Sequence, residues 1–297
     1  MRLLLLCCAL LLASCQALRP LPPLPAWQSS EGLEHAELGL IRDLHTGATL
    51  TPQQLVERLA AAPRVLVGEQ HDNPDQHALQ LWLLQALSQR RAQGSVLLEM
   101  LTPSQQGRVR QLQATPVQLA DASLASQLAW QPGWDWSLYG PIVRYALAEP
   151  GPLLAANLDR AEIMRIYAER PQLQGQWSTA NSVSTALLEQ ITQSHCGLLP
   201  EAQLPAMLAV QQQRDRRMAE ALQAAPSPAL LIAGAFHVRR DLGVPLHLHD
   251  LDAQQAPPLV LILAEVGQPP LSAANADFVW FSAAMPAQDH CAEFLKK

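Results

Sequence analysis

The 297-residue chain carries a formal net charge of −6, from 20 basic and 26 acidic residues, and it has no basic run, which argues against a nucleic-acid footprint. Its length suits one large domain or a core domain with an insertion. Lysine occurs only at Lys296 and Lys297, so every other fixed positive charge is an arginine.

From the amino end, Arg2 is followed by an apolar stretch from Leu3 to Ala13. That is too short to span a bilayer as a mature helix and reads, over residues 1–14, as a secretory signal. Leu12-Ala13-Ser14-Cys15 resembles a bacterial lipobox, in which Cys15 would be lipidated and become the new N-terminus. Gln16 at the next position favours sorting to the outer membrane of a Gram-negative envelope. An ordinary cleaved signal with a chance cysteine is the alternative. Residues 15–35 then form the lipidated cysteine and a proline-rich tether, extended between membrane and domain. Cys7 and Cys8 leave with the signal, so Cys196 and Cys291 remain in an oxidising compartment, where they could pair. Neither lies in a CxxC or CxxCH arrangement, so a zinc knuckle and a covalently attached haem lack support.

Residues 36–285 are expected to form the domain and 286–297 a tail. Ile41 to Thr51 looks like a polar hairpin or loop, and Thr51-Pro52 opens a helix to Ala61. Val65-Leu66-Val67 is an uninterrupted apolar run, as in a strand buried on both faces of a parallel sheet, and it ends in Gly68-Glu69-Gln70-His71. Asn73 caps a helix with Pro74 first, and Leu79, Trp82, Leu83, Ala86 and Leu87 recur at helical spacing. A second strand, Ser95 to Met100, finishes in Glu99. Helical insertions are expected at about 102–148 and 175–224. The first holds Trp130, Trp134, Trp136 and Tyr139, which could line a flat apolar ligand or pack a helical subdomain. Tyr145 and Tyr167 lie within helical patterns, whereas Tyr139 stands in the tryptophan-rich segment before Gly140-Pro141. Further strands are expected at Pro152 to Asn157, Ala229 to Gly234, Leu259 to Glu265 and Phe278 to Phe281. The fold class is therefore α/β, a mostly parallel sheet flanked by helices with a smaller all-helical subdomain.

Glu69, His71, Glu99, Asn157 and His237 all follow buried strands, so a parallel sheet brings them to one edge, where open α/β sheets bind ligands. Two imidazoles with carboxylates have the donors for a divalent metal or for general acid and base work. HExxH, GxSxG, the P-loop and GxGxxG are all missing.

Val67-Gly68-Glu69-Gln70-His71-Asp72-Asn73, the second Gly-x-x-His at Gly234 to His237, and Arg240-Asp241-Leu242-Gly243-Val244-Pro245 resemble the ChaN family of haem-binding lipoproteins. That family shares a superfamily with the Tiki metalloproteases and the erythromycin esterases. The resemblance covers roughly residues 40–265 and implies haem at a homodimer interface, ligated by a tyrosine oxygen, in a lipoprotein of iron acquisition that works with an outer-membrane haem receptor system. Phenolate is an anionic donor suited to ferric haem, and Tyr139 is the candidate iron ligand. His71, His237 and Asn157 are candidates for the haem site. With lysine confined to the last two positions, Arg239, Arg240 or a histidine, His247 or His249 among them, would meet the propionates. The sister families imply the competing reading, a metal-dependent hydrolase using Glu69, His71, Glu99 and His237 with a divalent metal.

Overall fold

The computed structural model describes residues 20–115, 121–288 and 291–292. The signal segment, Cys15 and most of the tail's end lie outside these residues. In chain order the elements are β1 (Ile41–Asp43), β2 (Thr49–Leu50), α1 (Pro52–Ala61), β3 (Arg64–Glu69), α2 (Pro74–Ser88), β4 (Ser95–Leu98), α3 (Gln106–Ala114), α4 (Asp121–Gln127), α5 (Trp136–Ala148), β5 (Leu153–Ala155), α6 (Arg160–Glu169), α7 (Asn181–Ser194), α8 (Leu204–Ala224), β6 (Ala229–Gly234), α9 (Ala235–Val238), α10 (Val244–Leu251), β7 (Leu259–Glu265) and β8 (Phe278–Ser282).

One eight-stranded sheet runs in the order β2-β1-β8-β7-β3-β6-β4-β5. The six strands from β8 to β5 are parallel, and β1 and β2 join as an antiparallel edge. Alternation along the central strands divides the core. Val65, Val67, Leu230, Ile232, Val96 and Leu98 pack with α1, α2 and α5, whereas Leu66, Leu231, Leu97 and Ala233 pack with α8 and α10. Both faces are thus covered, which is why these strands read as continuous apolar runs. Each Leu or Val so buried contributes about 1.5–3 kcal/mol.

Local chemistry sets the helix starts. Thr51 and Gln54 form a reciprocal capping box at α1, with Thr51 Oγ1 accepting from the Gln54 N–H at 3.2 Å and Gln54 Oε1 accepting from the Thr51 N–H at 2.8 Å. Asn73 accepts from the N–H groups of Asp75 and Gln76 at the start of α2. Among the described residues no helix is long and apolar enough to cross a membrane. Cys196 and Cys291 are joined by a disulfide, with α-carbons 5.6 Å apart.

Three expectations change. The proline-rich segment does not stand off as a tether: from residue 20 onward it lies on α2, where Pro22 accepts from Trp82 Nε1 at 2.9 Å and Asp75 accepts from the Gln28 and Ser29 N–H groups at 2.6 and 3.0 Å. Leu21 and Trp27 pack against the core, so apolar burial outweighs the extended bias of the prolines. Tyr139 lies in a helix. Asp135 caps α5 at the Ser137 N–H, and the helix continues through Gly140 and Pro141, with the Trp136 ring beside Gly140, 2.9 Å from where a Cβ would stand. His247 and His249 belong to α10 rather than to a strand end, and only His249 is exposed, edge-on to Trp177.

His247 itself is completely buried with no partner at either ring nitrogen. Burial, reinforced by the nearby Arg216 charge, pushes it down to about 3. The folded chain therefore holds the neutral ring, while the unfolded chain begins to protonate near 6.5. Stability is lost as pH falls below that value toward 3. His247→Leu is expected to raise the melting temperature over the native chain at pH 4 by more than it does at pH 7.5. An equal difference at both values would contradict the assignment.

Candidate functional site

The strands β4, β6 and β3 are adjacent and parallel, and their carboxyl ends assemble the site. Glu69 is the last residue of β3 and is buried at 1% exposure. Its Oε1 accepts from His71 Nδ1 at 2.7 Å and from the Tyr139 hydroxyl at 3.0 Å, while its Oε2 has no hydrogen-bond partner. His71 follows two residues later, with 46% of its side chain exposed. Because a carboxylate only accepts, Nδ1 carries the proton in this contact, and Nε2 is left without a partner among the described residues. Burial works against charge on His71, but the hydrogen bond and charge of Glu69 outweigh it and raise the ring above its ordinary value.

The ring of His71 lies against Gly234, where an added Cβ would stand 2.8 Å from Cε1 and 3.0 Å from Nε2. Trp134 meets it edge-on at 4.9 Å, and Trp134 in turn meets Tyr139 at 5.8 Å. Gly234→Ala is expected to displace His71 while leaving the strand intact. A perturbed histidine resonance with an unchanged fold would be seen by NMR, and an unmoved ring would refute this seating.

Behind Gly234 lies a second, fully interior set. Glu99 Oε2 accepts the Gly234 N–H at 2.8 Å, Glu99 Oε1 lies 3.3 Å from His237 Nε2, and His237 Nδ1 is hydrogen-bonded to Asp215. Burial alone would neutralise these groups. The two carboxylates instead raise His237 to about 10, and His237 with His71 holds Glu99 well below the usual carboxylate range. Burial pushes Asp215 up, against the pull of His237. The result is an imidazolium clamped between two carboxylates.

Glu69, His71, Tyr139, Glu99 and His237 are therefore brought together. Asn157 is not among their contacts; its side chain accepts from the Leu158 N–H at 2.8 Å. The arginines expected to meet an anionic ligand already have carboxylate partners: Arg239 forks onto Asp241, and Arg240 pairs with Asp277. Arg239 also stacks over Phe236, which is 43% exposed beside the site. The Tyr139 hydroxyl is turned inward and the residue is 1% exposed; burial, with the charge of Glu69, pushes it far above its ordinary value.

Two participants escaped the sequence reading. His77 is buried in α2, where its Nε2 donates to the His71 carbonyl at 3.0 Å and its ring meets Tyr139 at 4.4 Å. Asp215 shares the buried stripe of α8 with Val210, Met218, Ala219 and Leu222. A lone carboxylate on an apolar helix face was the available signal for it.

Among the described residues no group of three or more His, Cys, Asp or Glu side chains is placed to hold a metal ion. Glu69 and Glu99 hydrogen-bond or pair with the two imidazoles, Tyr139 and the Gly234 amide, and the metal-dependent reading has no such group of ligands to rest on. An imidazole nitrogen that is oriented from behind, has no partner among the described residues in front and is flanked by tryptophan would suit ligation of the iron of a planar cofactor.

A family model described as haem-binding uptake, Tiki superfamily, ChaN, matches residues 55–248. Among solved structures, ChaN of Campylobacter jejuni with cofacially bound haem is 29% identical, over 81% of this chain and 95% of that one, with a TM-score of 0.74. RRSP, a MARTX toxin effector domain of Vibrio vulnificus, is 15% identical over 80% of this chain and 38% of its own, with a TM-score of 0.44. An erythromycin esterase mutant in its open conformation is 12% identical over 91% and 86%, with a TM-score of 0.45. No curated protein matches the chain in sequence.

Proposed function

Because the chain belongs to the haem-binding uptake family of the Tiki superfamily that includes ChaN, we propose that it binds haem at the carboxyl edge of its sheet, as a lipid-anchored protein of iron acquisition. The likeness to the C. jejuni ChaN over 81% of this chain and 95% of that one supports the cofactor. The observation that carries the location is the half-exposed His71 with its unpartnered Nε2.

When bound, haem would supply an iron that takes a nitrogen or oxygen donor, which His71 or Tyr139 would provide. Glu69 holds the proton of His71 on Nδ1, which keeps the Nε2 lone pair available. Trp134 and the exposed Phe236 offer apolar surface for a porphyrin face. Tyr139 is the deeper candidate donor, its hydroxyl hydrogen-bonded to Glu69 at 3.0 Å. In a homodimer that brought two such edges together, charged groups of the second copy would meet the propionates, since Arg239 and Arg240 are already paired.

The disulfide between Cys196 and Cys291 suits an oxidising envelope compartment, in keeping with lipidation at Cys15, residence at the outer membrane and service to a haem receptor. The test is haemin titration of the purified chain beginning after Cys15, followed by absorbance. A saturable Soret band is expected. Linear, non-saturating absorbance equal to that of a control protein would end the haem reading.

A further inference from the structure

We propose that the docked amino-terminal segment works as a short strap that holds one flank of the domain against the lipid headgroups and keeps the His71 edge turned away from the bilayer. The inference rests on lipidation at Cys15. Its basis is the path of the strap. Ser29 and Gln28 are bound by Asp75 at the first turn of α2, level with the carboxyl edge of the sheet, where Glu31 also bridges to Ala284 just after β8. Pro22 is bound by Trp82, seven residues further along α2 and so about 10 Å toward the opposite edge. Traced backward, the chain leaves the site edge, runs along α2 and makes its last contact there at Pro22, near the middle of that helix.

Chain length then decides the geometry. From Cys15 to Pro20 is five residues, which reach at most about 18 Å. A domain of this size has a radius of gyration of about 19 Å and is some 45–50 Å across. The anchor is therefore shorter than the body it holds, so the flank it leaves from stays close to the headgroups. Were the strap released back to Glu31, the reach would grow to roughly 56 Å, longer than the domain is wide. Half-exposed Leu24 on the outer side of the strap is an apolar residue suited to face headgroups.

The test uses the full lipidated chain on vesicles of phosphatidylethanolamine and phosphatidylglycerol that carry a nitroxide on some headgroups. An environment-insensitive fluorophore is attached at Leu24→Cys in one variant and at Phe236→Cys in another. The probe at 24 is expected to lose most of its emission and the probe at 236 little. Equal loss at both, or greater loss at 236, overturns the proposal. Asp75→Ala, and separately an insertion of about ten Gly and Ser residues after Leu18, are each expected to abolish the difference. Persistence of the full difference in the insertion variant also overturns it. Flotation with the vesicles is scored on the same samples: failure to float defeats the lipid anchor and the orientation with it, whereas flotation with equal quenching defeats the orientation alone.

Discussion

Replacing His237 by glutamine is expected to destabilise the fold by about 3–5 kcal/mol, because it leaves two buried carboxylates without the cation between them. For a chain of this length that lowers the melting temperature by roughly 10 °C. Glu99→Gln should cost less than half as much, since the Asp215 and His237 pair survives and the glutamine oxygen still accepts the Gly234 N–H. Thermal denaturation of both variants decides the matter, and equal losses would mean that His237 fills space rather than balancing charge.

The same cluster sets a pH profile. His237 is raised to about 10, so the stability it contributes is whole below its ordinary value near 6.5 and is lost as pH rises through 10. Glu99 is depressed, so its contribution is whole above about 4.5 and is lost as pH falls below that. His237 and Glu99 by themselves would give a plateau from about 4.5 to 6.5. His247 erodes the acid half of that plateau, since its neutral form is the one the fold retains. The native optimum therefore lies near neutrality, and His247→Leu is expected to widen it toward 4.5.

The sheet and its two helical layers were legible because Val65 to Val67, Ser95 to Leu98 and Ala229 to Gly234 are apolar without interruption, a pattern that a doubly covered parallel sheet requires. The gathering of Glu69, His71, Glu99 and His237 followed from their places at strand ends. What each partner does was not legible. Two rings at equivalent strand ends differ entirely: His71 stands half in solvent, while His237 lies sealed between Glu99 and Asp215, 22 residues apart in sequence from the latter. Tyr139 stood outside the helical patterns in sequence, because the packing of Trp136 beside Gly140 is a property of the fold, not of the Gly140-Pro141 dipeptide. Nor does proline content reveal that residues 20–31 are bound, since Asp75 makes its two bonds to backbone N–H groups, which any sequence would supply.

Replacing His71 by alanine is expected to weaken haemin binding by at least about 100-fold, since losing even an outer-shell partner of a metal ligand costs 10–100-fold. The Soret band of whatever haemin remains bound should shift. Tyr139→Phe keeps the ring that packs on His77 and Trp134 and removes only the hydroxyl that steadies Glu69. Its effect should be about tenfold or less if the phenol supports the site from behind. The opposite order, a near-normal His71→Ala and a Tyr139→Phe that loses the band, would hand the iron to the phenol. It would also require His71 to leave its seat on Gly234 when haem arrives. Glu69→Gln separates the two further. It weakens the hold on the Nδ1 proton of His71 in the first case, and in the second it removes the acceptor that a phenolate ligand needs, so it should then be as damaging as Tyr139→Phe itself.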